Sequence, residues 1–140
     1  MAFRKMEDQG TLPGPRALFI CGYREDDLLS MESYLKESGI ENIQLVPCRS
    51  DSLGMKVEDV LLEKSTGDII AGDKLPPVMV WAGIAHEELD STLGDFHKTG
   101  LKRPIFATAT PSNMSFSVKE LLNHLLSEQR SMREAMSQSE

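Results

Sequence analysis

The chain has 140 residues, 40% of them hydrophobic and 26% charged, and this composition is typical of a single globular domain. Its formal net charge of −7 disfavours binding to nucleic acid or to an anionic membrane surface, because both depend on clustered lysine and arginine. No segment approaches the roughly 18 consecutive apolar residues of a membrane-spanning helix, so we expect no membrane insertion.

The first half of the chain is predicted to form a strand, a helix, a second strand and a second helix. An apolar run at residues 17–21 is typical of a strand that is covered on both faces. Gly22 permits a tight turn into a helix with an acidic first turn, and we expect that helix to end at a left-handed glycine cap, Gly39. The second strand is predicted at residues 43–48.

The same order of elements returns after a loop rich in glycine, aspartate and proline. An apolar run at residues 78–82 precedes Gly83, and a second helix with an acidic start ends at Gly100. The fourth strand is predicted at residues 105–110, and the last helix begins with a Ser-x-x-Glu capping box.

The two halves align without a gap at one offset of 61 positions, so that Gly22 corresponds to Gly83 and Gly39 to Gly100. This alignment predicts a tandem duplication. The alternative is that any two β-α-β-α segments of similar length look alike. The predicted segments are a disordered N-terminal segment (1–15), one α/β domain (16–128) and a helical extension or frayed tail (129–140), the domain comprising repeat one (17–64), a linker (65–77) and repeat two (78–128).

Two tandem β-α-β-α repeats predict an α/β fold with a four-stranded, mostly parallel sheet and flanking helices. We expect the strand order 2-1-3-4, with the first and third strands at the centre and a pseudo-two-fold relation between the halves. Ligands in such sheets bind at the carboxyl ends of the strands. We therefore expect one shared rim with these candidate ligand-binding residues: Gly22, Tyr23, Arg49, Gly83, His86, Thr110 and Asn113. The alternative is that they are turn and helix-capping residues.

The sequence offers no catalytic residue, metal set or cofactor motif that we recognise. Cys21 and Cys48 each end an apolar run, so we expect two buried, inert thiols in a soluble protein of a reducing compartment. A disulfide or redox pair is the alternative if their strands are neighbours. A thiol pair of Cys48 with His86 is less favoured.

The second repeat resembles a small bacterial family of domains of unknown function. The resemblance is carried by the loop TPSN (110–113) and by the following helix with ELL (120–122) and Glu128, within residues 78–128. The first half departs from it, with RSDS (49–52) in place of TPSN. This family brings no catalytic residue with it. The whole chain also resembles mature plastid proteins, which implies the chloroplast stroma or a bacterial cytoplasm.

These observations predict a non-enzymatic protein-interaction module, an auxiliary or assembly factor of a larger, plastid or bacterial, complex. Met132 and Met136 are apolar residues in a polar context, so they are candidate partner contacts. One alternative is a small-molecule-binding protein or enzyme that uses the carboxyl rim of the sheet. Another is a homo-oligomeric structural protein that pairs through its fourth strand or its tail.

Overall fold

The computed structural model describes residues 11–70 and 72–138, and for residues 73 and 136–138 it describes the backbone alone. The four strands are β1 (Ala17–Cys21), β2 (Gln44–Pro47), β3 (Val78–Ala82) and β4 (Ile105–Thr108). The α-helices are α1 (Glu25–Glu37), α2 (Val57–Leu61), α3 (His86–Asp95) and α4 (Val118–Gln138). Short 3-10 turns lie at Ser52–Gly54, Gly72–Lys74, Phe96–Thr99 and Asn113–Ser115.

The strands form one sheet in the order β2-β1-β3-β4. The β1–β2 and β3–β4 pairs are parallel, and the central β1–β3 pair is antiparallel. The predicted four-stranded, mostly parallel α/β sheet and its strand order are therefore confirmed. The central strands are buried along their whole length, as their continuous apolar runs indicate.

Helices cover both faces of the sheet, and the alternation of side chains along β1 assigns each face. Phe19 and Cys21 belong to the core cluster that also contains apolar residues of α2 and α4. Leu18 and Ile20 point to the other face and belong to the cluster that contains residues of α1 and α3. Trp81 lies in this second cluster and is fully buried.

Local signals in the sequence placed the helix ends correctly. Gly39 and Gly100 have φ of +83° and +75°, the left-handed conformation expected of glycine caps. At the start of α4, Ser117 Oγ accepts from the Glu120 amide at 3.1 Å and Glu120 Oε1 accepts from the Ser117 amide at 2.9 Å. This reciprocal pair is the predicted capping box.

The two halves correspond in detail at the offset of 61 positions. When 61 is added to each residue number, the bounds of β1 and β2 coincide with those of β3 and β4. In the same way, the turn Ser52–Gly54 coincides with the turn Asn113–Ser115. Phe19 and Val80 are themselves offset equivalents, and they face each other at the middle of the central pair. The halves also exchange hydrogen bonds, as described for α2 and α4 below. These are equivalences of geometry, and a common origin of the halves stays a prediction.

The start of each half's last helix is tied to the other half. The Val57 amide donates to the Phe116 carbonyl and the Val118 amide donates to the Met55 carbonyl, both at 2.9 Å. An isolated antiparallel bridge between residues 56 and 117 lies between these two bonds. The halves are thus joined at the sheet and again at the helix starts.

The prediction of one shared rim is wrong. In the antiparallel central pair Cys21 lies opposite Val78, and Ala17 opposite Ala82. The carboxyl end of β1 therefore lies at the amino end of β3. A two-fold relation about an axis normal to the sheet reverses the direction of the central strands. It therefore sends the carboxyl ends of the two halves to opposite edges of the sheet.

The packed part of the chain begins before the predicted domain start at residue 16. Leu12 is 7% exposed and lies in the core, and its amide donates to the Ile84 carbonyl at 2.8 Å. Residues 1–10 of the segment that we expect to be disordered lie outside the described residues. At the other end, α4 runs on to Gln138, through the segment predicted as a helical extension or frayed tail.

Candidate functional site

The structure divides the seven candidate ligand-binding residues between two rims at opposite ends of the sheet. The first rim is formed by the carboxyl ends of β1 and β2, and the second rim by the carboxyl ends of β3 and β4. The first rim receives Gly22, Tyr23 and Arg49. The second rim receives Gly83, His86, Thr110 and Asn113.

At each rim the chain itself passes over the glycine turn. Gly22 has φ +83°, and a Cβ there would lie 2.4 Å from the Pro76 carbonyl oxygen. Gly83 has φ +70°, and a Cβ there would lie 2.4 Å from the Pro15 carbonyl oxygen. The segment leading into β3 thus covers the end of β1, and the segment leading into β1 covers the end of β3. Backbone occupies the space above each turn that a ligand would need.

The polar candidates at the second rim bond within their own turn. Asn113 accepts from the Thr110 amide at 2.9 Å, and its side-chain amide donates to the Thr108 carbonyl at 3.0 Å. The Asn113 amide donates to Thr110 Oγ1 at 3.0 Å. These bonds form a capping arrangement, which favours the structural interpretation of both residues.

Tyr23 and Arg49 at the first rim also have partners within the protein. Tyr23 is 4% exposed, its hydroxyl donates to the Lys102 carbonyl, and burial raises its pKa well above the ordinary value. The Lys102 ammonium lies 5.9 Å from the Tyr23 ring centroid. Arg49 Nη1 donates to the Gly67 carbonyl at 3.0 Å. Tyr23 thus ties β1 to the approach of β4, and Arg49 binds the linker.

His86 begins α3 at the second rim and is half-buried, whereas Cys48 lies at the first rim. The sheet separates the two residues, so a Cys48–His86 thiol pair is excluded. Within residues 11–70 and 72–138, no group of three or more His, Cys, Asp and Glu residues is arranged to hold a metal ion.

The two thiols lie together at the first rim. Cys21 ends β1, and Cys48 directly follows β2, the parallel neighbour of β1. Both are free and buried. The condition that the sequence left open for a redox pair, neighbouring strands, is therefore met.

The loop between β2 and α2 binds the linker firmly at this rim. The Ser50 amide donates to the Asp68 carbonyl at 2.8 Å, and the Asp51 carboxylate accepts from the amides of Thr66 and Gly67, both at 2.9 Å. These bonds lower the pKa of Asp51. The Ile70 amide adds a bond to the Cys48 carbonyl at 3.0 Å, so the linker runs beside the end of β2.

The two edges of the sheet differ in the donors that they present. The β2 amides of residues 44 and 48 donate to the β1 side, so in a parallel ladder the amides of Leu45 and residue 47 point outward. Residue 47 is Pro47, which has no N–H. The β2 edge therefore presents one outward donor, the Leu45 amide, where the β4 edge presents two.

The β4 edge presents both donors. The amides of residues 105 and 109 donate to the β3 side, so those of Phe106 and Thr108 point outward. The Phe106 carbonyl also points outward, whereas that of Thr108 accepts from Asn113. All four residues of β4 are partly exposed. Among residues 11–70 and 72–138, β4 is thus an edge strand whose outward pairing groups have no partner.

A shallow groove of about 340 Å³ runs between β4 and α4. In it, the Phe116 ring stacks on the His124 imidazole with their centroids 5.2 Å apart. The apolar side chains that line the groove include Ala107, Phe116, Leu121 and Leu125, whereas the Phe106 side chain packs on Phe96 on the other face of the sheet. The groove depends on where α4 packs against β4, which the sequence of the strand does not give.

Of the two predicted partner contacts, Met132 is 66% exposed on α4. The side chain of Met136 lies outside what the structure describes. Met132 is not among the residues that line the groove, and the predicted role of both methionines stays a prediction. No helix in the described part of the chain is long and apolar enough to cross a membrane.

Comparison with known proteins finds one match, which covers less than half of the chain. Residues 77–132 match a family described as a domain of unknown function, DUF3783. No curated protein matches the chain, and no solved structure does. The resemblance of the second half to an unknown-function family is thereby confirmed. This half, from Pro77 to Met132, is similar to DUF3783, and the family description names no activity.

Proposed function

We propose that this chain is a non-enzymatic protein-interaction module that binds an extended segment of a partner protein along β4. In this role it acts as an auxiliary or assembly factor of a larger complex. The observation that carries the proposal is the outward pair of amide groups at Phe106 and Thr108, on an edge strand beside an apolar groove. Strand addition to such an edge is an established mode of peptide recognition.

The groove gives the added strand a place for its side chains. Main-chain bonds to β4 would supply affinity, and alternate side chains of the added segment would point toward α4. The partly exposed side chains of Ala107, Phe116 and Leu125 offer an apolar contact surface there. A partner segment with apolar residues at alternate positions fits this surface.

The β2 edge supports the proposal by contrast. At the position equivalent to Thr108 it carries Pro47, which has no N–H. Proline is one of the devices by which proteins protect sheet edges from pairing. The β2 edge therefore lacks a pairing donor that the β4 edge has.

The closed rims weigh against the alternative of a small-molecule-binding protein or enzyme. The space above Gly22 and Gly83 is filled by backbone, and Tyr23, Arg49, Thr110 and Asn113 bond within the protein. A thermal-shift screen with metabolites tests this alternative. A clear rise in Tm with one compound would favour it over the interaction module.

The test uses the full chain with a photoreactive side chain at position 106, and a matched control with the same group at its β2 equivalent, position 45. Crosslinking in an extract of the source cells should trap a partner at 106 and not at 45. The Thr108→Pro substitution should abolish the crosslink, because it removes an outward donor. Equal crosslinking at both positions, or a crosslink that survives Thr108→Pro, contradicts the proposal.

The second candidate is self-association through the same edge, since two copies of β4 could pair in one continuous sheet. Sedimentation equilibrium of the purified chain distinguishes the two. A dimer that Thr108→Pro converts to a monomer favours self-association, and a monomeric wild-type chain favours a different partner protein.

We also infer that the two halves arose by tandem duplication in a bacterial or plastid lineage. The equal strand bounds and the central pairing of Phe19 with Val80 support this origin. An experimental structure in which no rotation superposes 17–61 on 78–122 would contradict it.

For the compartment we propose a reducing one, the chloroplast stroma or a bacterial cytoplasm, on the basis of the two free thiols. Localisation of a tagged chain in its source cells tests that assignment.

A further inference from the structure

The strand register brings Cys21 and Cys48 side by side. Ile20 pairs with Pro47 in the parallel ladder, and the Cys48 amide continues the ladder with a 2.9 Å bond to the Ile20 carbonyl. The next pair in register is Cys21 with Cys48. Neighbouring strands lie about 4.8 Å apart, and disulfides span Cα separations of about 4.4–6.8 Å. The pair therefore needs little backbone movement to form a bond.

Both side chains point to the same face of the sheet, since both belong to the core cluster with α2 and α4. Cys21 is 1% exposed and Cys48 is 3% exposed. A bulky oxidant has no direct path to either sulfur, whereas a molecule of the size of hydrogen peroxide needs only a small local opening. Cys48 lies at the start of a loop beside the edge strand, where such an opening is easiest.

Packing alone does not require sulfur at these positions. The equivalents of Cys21 and Cys48 in the second half are Ala82 and Ala109, which are 0% and 1% exposed. The same corner of the fold is thus filled by two methyl groups in one half and by two thiols in the other. The thiols add a chemical capability that the fold does not need.

The surroundings make the two thiols unequal. The hydrogen bond with Cys48, and then burial, raise the pKa of Cys21. The hydrogen bond from Cys21 lowers the pKa of Cys48, and a bond with Ser52 lowers it further, against the effect of burial. Cys48 also follows the edge strand, whereas Cys21 lies in the central strand, so peroxide reaches Cys48 first and the lowered pKa favours its thiolate, the nucleophilic form.

We propose that Cys21 and Cys48 form a reversible dithiol–disulfide site that is oxidised by a small peroxide. The Cys48 thiolate attacks one peroxide oxygen, the O–O bond breaks, and hydroxide leaves with its electron pair. Cys48 is then a sulfenic acid. The Cys21 sulfur attacks the Cys48 sulfur, the S–O bond breaks, and the Cys21 proton leaves with the oxygen as water. In total, two thiols and one hydrogen peroxide give one disulfide and two waters.

The bond would tie the edge strand to the centre of the sheet at the rim where the linker binds. It closes the chain from residue 21 to residue 48, which restricts the unfolded state and stabilises the fold. A low-molecular-weight dithiol reverses the reaction by exchange. The site is independent of partner binding at β4, on the far side of the sheet.

The test treats the native full chain with increasing hydrogen peroxide, stops the reaction with catalase, and alkylates free thiols after denaturation. Exposed Met132 provides an internal measure of dose, because its sulfoxide forms in the same sample. We expect an intramolecular Cys21–Cys48 link, seen by peptide mass spectrometry, to be complete before half of Met132 is oxidised. Dithiothreitol should reverse the link, and oxidation should raise the Tm.

Single variants separate the two roles. In Cys21→Ala, a sulfenic-acid probe should label Cys48, and in Cys48→Ala, Cys21 should stay an alkylatable thiol at the same dose. Cys21→Ala/Cys48→Ala, which copies the second half, should fold with the Tm of the reduced wild type and show no change in Tm with peroxide. The proposal would be overturned if both thiols stayed free at the peroxide dose that oxidises half of Met132. It would also be overturned if disulfide-linked dimers or a sulfinic acid formed in place of the intramolecular link.

Discussion

Four glycines with positive φ show how one residue type serves two different purposes. Gly39 and Gly100 end helices in open space, with no heavy atom within 4 Å of an added Cβ. Gly22 and Gly83 lie beneath the chain segments that enter the opposite central strand. The first pair needs glycine for its dihedral angles alone, and the second pair needs it also for the missing side chain.

This difference predicts unequal costs of substitution. Gly100→Ala should lower the free energy of unfolding by about 1–2 kcal/mol, the cost of a left-handed conformation. Gly83→Ala should cost clearly more, because its Cβ would also lie 2.4 Å from the Pro15 carbonyl oxygen, and neither backbone can yield easily. Urea unfolding of both variants measures the difference. Equal losses would show that the crossing at the second rim is looser than described.

Asp51 is an exposed carboxylate held by backbone amides of the linker. Its pKa is lowered chiefly by the bonds from Thr66 and Gly67, below the ordinary value of 3.8. A lowered folded-state pKa adds stability above the unfolded-state value, and this stability is lost as the pH falls through the folded-state pKa.

We therefore expect Asp51→Asn to be less stable than the wild type at neutral pH. The difference should shrink as the pH falls from about 4 through the lowered folded-state pKa of Asp51, below which the position is uncharged in both chains. Thermal unfolding at a series of pH values provides the measurement, with exposed Asp90→Asn on α3 as the control substitution. A difference that stays constant down to the acid limit would contradict the role of the charge.

At the scale of elements, the two equivalent edge strands β2 and β4 differ in the outward backbone N–H groups with which they can pair. β2 and β4 have the same length and the same register with their neighbours. A single residue, Pro47 against Thr108, removes an outward donor from one of them. In the part of the chain that the structure describes, no segment pairs with the outward side of β4, so both of its outward amides stay available there.

Because Pro47 is accommodated in β2, the same residue should be accommodated in β4. We expect Thr108→Pro to change the free energy of unfolding by less than about 1 kcal/mol, since its amide points away from the sheet. Ala107→Pro is the matched control, and it should cost about 3 kcal/mol or more because that amide faces β3. Denaturant unfolding compares them. A large loss in Thr108→Pro would mean that its amide has a partner in the fold.

At the scale of the whole molecule, the two halves depend on each other. The central β1–β3 pair joins them through five residue pairs in register, and the starts of α2 and α4 exchange backbone bonds. Pro15 and Pro76 close the rims of the opposite half. Each half alone would expose an unpaired central strand and both core faces beside it.

The half that is similar to DUF3783 should therefore not fold as a monomer. A fragment of residues 76–140 should fold only as a homodimer, in which two copies of β3 pair antiparallel as β1 and β3 do here. Its Tm should rise with concentration, because dimer formation supplies the stability. Sedimentation equilibrium with circular dichroism tests this expectation. A folded monomer at low concentration would show that the half is self-sufficient.

Much of the architecture could be predicted because it is encoded locally. The apolar runs of β1 and β3, the glycine caps at Gly39 and Gly100, and the capping box of Ser117 all depend on residues close together in the chain. The offset between the halves also led to the correct strand order. The candidate site was predicted less well, because its seven residues share a rim only if all strands run the same way.

The sequence by itself determined the order of the elements, the exact bounds of β1 and β3, and the neighbours of each strand, whereas β2 and β4 are shorter than the predicted 43–48 and 105–110. Only the tertiary structure decided the direction of β3 against β1, and with it the closed rims and the open β4 edge. The physical reason lies in the connection. α2 has five residues, about 7.5 Å of helix, whereas five residues of strand extend about 16 Å. The linker is bonded at the first rim, so the chain enters β3 from the end where β2 stopped.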